Sequence, residues 1–101
     1  MELQFKPERL TIIKRLRGLT IEEIDRKMRE LSGAKNKMNI DSWEKIPRKH
    51  PIEKVELLAE ATEVPVGFYF YNNVQIEMKN LKVEIVIIDT NEKIEFDFLS
   101  A

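Results

Sequence analysis

The sequence predicts an α+β protein in which five helical segments precede a three-stranded antiparallel β-meander. Two observations predict it. Apolar residues recur at helical spacing as far as Tyr71, and from Val74 onward they alternate with polar ones. Proline, glycine and paired asparagines fall between these segments, where turns are needed. The period change divides the chain into residues 1–72, all helical, and residues 73–101, all stranded.

Pro7 suits the first position of a helix, and Leu10, Ile13 and Leu16 follow on one face until Gly18 ends the segment. Thr20 with Glu23 three residues later is a capping-box pattern. Ile21, Ile24, Met28 and Leu31 then form the stripe of a second helix, which Ser32-Gly33 breaks. A third helix is expected from about Lys37 to Lys45, with Ile40 and Trp43 on one side, and it cannot run through Pro47. Pro51 opens a fourth, with Ile52, Val55, Leu58 and Ala59 inward. Pro65 starts a short fifth over Val66 to Tyr71. Trp43 reads as core, and His50 reads as exposed loop.

The strands follow: Val74, Ile76 and Met78, then Leu81, Val83, Ile85 and Ile87, then Ile94, Phe96 and Phe98. Lys79-Asn80 and Asp89 to Glu92 are the turns. Val86 and Ile88 stand opposite Val83, Ile85 and Ile87, so the middle strand asks for burial on both faces. A homodimer built on this sheet satisfies that demand, with Val86, Ile88, Phe96 and Phe98 as its interface.

Composition narrows the function. The 101 residues are 43% hydrophobic and 35% charged, a globular balance. The longest candidate span, Val83 to Ile88, is strand-sized and contains Glu84, so no membrane span is expected. The N-terminus lacks a basic-then-apolar signal layout, and a cytoplasmic location is the expectation. With no cysteine and one histidine, His50, neither a thiolate zinc site nor a multi-histidine metal site can form. No metal or cofactor is expected. Nor is an enzyme: there is no glycine-rich phosphate loop, and the neighbours Glu22 and Glu23 do not face each other on a helix. Charge is uneven. Residues 1–50 hold 13 Lys and Arg against 8 Asp and Glu, and residues 51–101 hold 4 against 10. That asymmetry predicts a basic contact face on an acidic remainder.

Three segments, in order, carry a resemblance. They are Gly18-Leu19-Thr20 with Glu22-Glu23-Ile24; Ile40-Asp41-Ser42-Trp43-Glu44; and Leu57-Leu58-Ala59-Glu60-Ala61 leading into Val64-Pro65-Val66 and Phe68. In these the chain resembles the Cro/lambda-repressor-like (XRE-type) helix-turn-helix family over about residues 8 to 71. The resemblance implies a five-helix DNA-binding domain whose third helix enters the major groove. It further implies a sequence-specific transcriptional regulator of double-stranded DNA, a repressor or an autoregulating antitoxin, with a toxin or other protein as a further partner. Lys37, Met38, Asn39, Asp41 and Ser42 then stand near the bases, where Asn pairs with adenine and Lys donates to guanine. On the same resemblance, Lys14, Thr20, Lys35, Lys45, Arg48 and Lys49 are the candidate phosphate contacts.

The chain departs from the family at Ile21, where a glutamine is usual, and at Asp25, where a small residue is usual. Ile24 and Ile40 also stand further apart than is typical. These departures carry the alternative, a helix-turn-helix scaffold that binds protein and no longer binds DNA.

Overall fold

Proline and left-handed residues set the boundaries of the helices in the computed structural model, which describes residues 4–45 and 50–98. Pro7 occupies the first turn of α1 (Pro7–Arg17), where an amide hydrogen has no helical partner, and Gly18 closes that helix at φ 64°. The Thr20 capping box opens α2 (Ile21–Ser32): its hydroxyl accepts from the Glu23 amide, and Glu23 accepts from the Thr20 amide. Gly33, at φ 75°, closes it. Pro51 precedes α3 (Ile52–Thr62), which ends at Glu63 in the left-handed region.

The expected third and fifth helices are not α-helices. Among the described residues there are three α-helices, and the five-helix expectation is corrected accordingly. Ile40–Glu44 is a five-residue 3₁₀ turn. Asn39, at φ 55°, breaks any helix entering from Lys37. Ile40 and Trp43 stand three apart, so a 3₁₀ turn places both on one side, and both are buried. Val66–Tyr69 is likewise a 3₁₀ turn, set off by extended Pro65.

The sheet is the meander expected, with β1 (Val74–Lys79), β2 (Lys82–Ile87) and β3 (Glu92–Asp97) antiparallel in that order. Its inner face carries the rows Ile76–Ile85–Ile94 and Met78–Val83–Phe96. Its outer face carries Gln75–Val86–Lys93, Glu77–Glu84–Glu95 and Lys79–Lys82–Asp97. The outer face is therefore polar except for Val86, and the expected apolar surface on both faces of β2 is absent. Val86 is half-buried there, and Ile88 lies beyond the end of β2, exposed. Phe96 and Phe98 turn inward and pack on the core. The four residues expected to form one dimer face do not share a face.

One core joins the two segments. Leu10 and Ile13 of α1, Ile24 and Met28 of α2, Val55 and Leu58 of α3, Phe68 and Tyr69, and Val83, Ile85 and Ile87 of β2 are all buried in it. Each such side chain contributes about 1.5–3 kcal/mol of burial. Polar ties add direction. Arg9 donates to the Phe68 carbonyl at 2.7 Å. Arg17 donates to the Glu63 carbonyl at 2.7 Å and lays its guanidinium 3.8 Å from the centre of the Phe96 ring. Arg17 so joins α1, the end of α3 and β3.

Candidate nucleic-acid interface

The site expected for DNA consists of α2, the loop of residues 33–39 and the Ile40–Glu44 turn. The apolar side of α2 faces the core through Ile24 and Met28, which leaves Glu22, Glu23, Arg26, Lys27 and Glu30 exposed. Asp25 departs from this pattern. It lies on the inward stripe, i+4 from Ile21 and three before Met28, and it is buried. Its carboxylate accepts the Met38 backbone N–H at 3.1 Å and meets the Arg29 guanidinium at 3.2 Å. A charge this buried needs both partners, and the consequence is positional: it holds the end of the loop against α2.

Lys35, Asn36, Lys37 and Asn39 are all exposed on that loop. Lys37, Asn39 and Asp41 line a cleft of about 260 Å³ whose opposite wall is Glu22, Asp25 and Arg29 of α2. The cleft mixes both signs of charge. A carboxylate at Asp41 and another at Glu22 oppose phosphate, whereas Lys37 and the Asn39 amide offer hydrogen-bond donors.

The other expected contacts fall unevenly. Met38 is half-buried and packs on the core, which turns it from any base. Ser42 donates its hydroxyl to the Asn39 carbonyl at 3.0 Å, closing the turn. Lys14 is engaged: its ammonium meets Glu44 at 2.7 Å, and Thr11 donates to the same carboxylate. Burial pushes the Glu44 carboxyl up, but the hydrogen bonds from Lys14 and Thr11, with the charges of Lys14 and Lys45, outweigh it and hold the group below its ordinary range. Lys14 therefore fastens α1 to the 3₁₀ turn, and the phosphate role assigned to it is withdrawn. Thr20 keeps an exposed place at the start of α2, although its hydroxyl is already shared with Glu23. Lys35 and Lys45 are exposed. Arg48 and Lys49 lie outside the described residues.

Beneath the turn, Trp43 is buried as expected, stacked on His50 with ring centres 4.0 Å apart, while Phe5 meets both rings edge-on. His50 is half-buried in this stack, not an exposed loop residue as expected.

The residue that sequence reasoning missed is Asp25. Its signal was present: a carboxylate standing at a stripe position, with an arginine four residues on. No helix among the described residues is long and apolar enough to cross a membrane. Compared with family models, curated proteins and solved structures, the chain matches none.

Proposed function

We propose that this protein is a sequence-specific DNA-binding regulator that acts as a dimer and makes its contacts with the loop of residues 33–39 and the exposed side of α2. The observation that carries the reading is the Asp25–Met38 tie, which holds the loop on which Lys35, Lys37 and Asn39 are exposed. Lysines supply phosphate affinity, and the Asn39 amide supplies a donor and acceptor for a base edge. A five-residue 3₁₀ turn rises about 10 Å at 2.0 Å per residue, too short to track the groove as a recognition helix does. The loop takes that role in this reading. The protein works in the cytoplasm, where DNA is found, and no catalytic step is involved.

The mixed cleft favours a second reading. Glu22, Asp25 and Asp41 beside Lys37 and Arg29 make a surface of both signs, which suits a protein partner with alternating charge.

One experiment separates the two. Duplexes selected from a random pool are titrated by fluorescence anisotropy against the wild type and the variant Lys35→Ala/Lys37→Ala. The DNA reading expects tight, sequence-dependent binding, with the slope of log affinity against log salt reduced by about 0.9 for each lysine lost. Failure of the wild type to enrich any sequence would remove the DNA reading and leave the second.

A further inference from the structure

Three of the four large apolar side chains left exposed at the sheet stand on the β1–β2 hairpin, the fourth being Ile88. Ile76 is 39% exposed, Met78 51% and Leu81 72%, although Ile76 and Met78 belong to the inner face, whose middle strand is fully buried. Leu81 is also held at φ 66°, a left-handed conformation unusual for a bulky side chain, in a two-residue turn shared with Asn80 at φ 50°.

The two edges of the sheet are guarded differently. β3 carries Glu92, Glu95 and Asp97 against Lys93, a repulsive edge. β1 carries one acid and one base, Glu77 and Lys79, within 3.9 Å of each other. The pleat also fixes which groups β1 offers. Ile88 donates its N–H to the Asn73 carbonyl, so alternate residues Gln75, Glu77 and Lys79 bond to β2. Val74, Ile76 and Met78 then direct their N–H and C=O groups to the open edge.

We propose that β1 pairs antiparallel with β1 of a second copy, about a two-fold axis at Ile76, to make a continuous six-stranded sheet. Any two-fold axis through a residue of β1 fits the pleat, and strand length and charge choose among them: an axis at Val74 or Gln75 sets part of β1 against residues that precede the strand. An axis at Glu77 sets Glu77 against its own copy and extends the row Glu77–Glu84–Glu95 into six adjoining carboxylates. An axis at Met78 runs into Asn80 and Leu81, whose left-handed backbone cannot continue a strand. The axis at Ile76 pairs all of Val74 to Met78. It places Ile76 against Ile76 of the second copy and Val74 against Met78. It sets the Gln75 amide opposite the Glu77 carboxylate twice, a donor facing an acceptor. Leu81 then reaches the stretch around Tyr71 of the second copy, and the exposed hairpin tip gains a partner. This gives the dimer its interface, and it rests on the second copy, not on DNA.

The test needs no nucleic acid. Sedimentation equilibrium of the full chain should give a dimer. Ile76→Lys, which places a charge on the axis in both copies, should weaken self-association about 100-fold, as two losses of tenfold each, with an unchanged circular dichroism spectrum. Because the chain has no cysteine, register is read directly. Ile76→Cys alone, which keeps every charge of β1, should oxidise to a covalent dimer, and Met78→Cys alone should not. A monomer at every concentration, a dimer that survives Ile76→Lys, or cross-linking by Met78→Cys in place of Ile76→Cys would each overturn the proposal. Sequence-specific DNA binding by a monomer would leave the DNA reading intact, and remove both this interface and the dimer from the proposed function.

Discussion

The Asp25 carboxylate and the Met38 backbone N–H, thirteen residues apart, are joined by a hydrogen bond of 3.1 Å at the base of the candidate interface. Asp25→Ala leaves a part-buried amide without its acceptor and Arg29 without its carboxylate. The expected cost is about 1–3 kcal/mol in urea unfolding, with faster hydrogen exchange at Met38 than at Ile24. Unchanged exchange at Met38 would show that the loop is held by other contacts.

Arg17 is predicted to stabilise the join between helices and sheet. Its guanidinium covers Phe96 and donates to the Glu63 carbonyl, so Arg17→Ala should cost about 1–2 kcal/mol. A double-mutant cycle with Phe96→Leu isolates the ring contact. A coupling energy near zero would assign the whole effect to Glu63.

The Glu44 carboxyl titrates below its ordinary range because Lys14 and Thr11 favour its charged form against the opposing push of burial. A group whose folded pKa is depressed adds stability above its unfolded pKa and loses it as pH falls through the folded one. Glu44→Gln should therefore cost about 1 kcal/mol at neutral pH and nearly nothing in strong acid. Thermal melts across an acid series check this. An equal loss at both ends of the series would show that packing, not charge, is what the substitution removes.

Gly67 is required by close approach. A Cβ there would stand 2.7 Å from Tyr71 Cδ2 and 3.7 Å from Ile87 Cδ1. Gly67→Ala should destabilise by about 1–3 kcal/mol through overpacking, and Gly67→Ala/Tyr71→Ala should recover part of that loss in the same melts.

Where local pattern and tertiary packing agree, the elements are legible in the sequence. The Thr20–Glu23 capping box, the Gly18 and Gly33 stops, the Pro51 start and all three strands follow from spacing and turn residues. The third and fifth helices are not legible because short apolar runs with spacing of three suit a 3₁₀ turn as well as an α-helix, and the left-handed Asn39 decides only in the folded chain. The sheet's outer face was misjudged for a related reason. Alternation assigned Val86 to that face, but the neighbours that make it polar, Gln75 and Lys93, come from strands whose register is a property of pairing. Of the candidate contacts, Lys14 shows the limit most plainly. A lysine looks the same in sequence whether it meets phosphate or, as here, Glu44 thirty residues away.

The proposed function requires that DNA be met by the held loop and α2. An amide-resolved NMR titration of the full chain with a selected duplex tests it most directly. The largest shifts are expected at Lys35 to Asn39 and at Glu22 and Arg29 across the cleft, while β1 to β3 change little. Shifts concentrated on the sheet, or none at all, would contradict it.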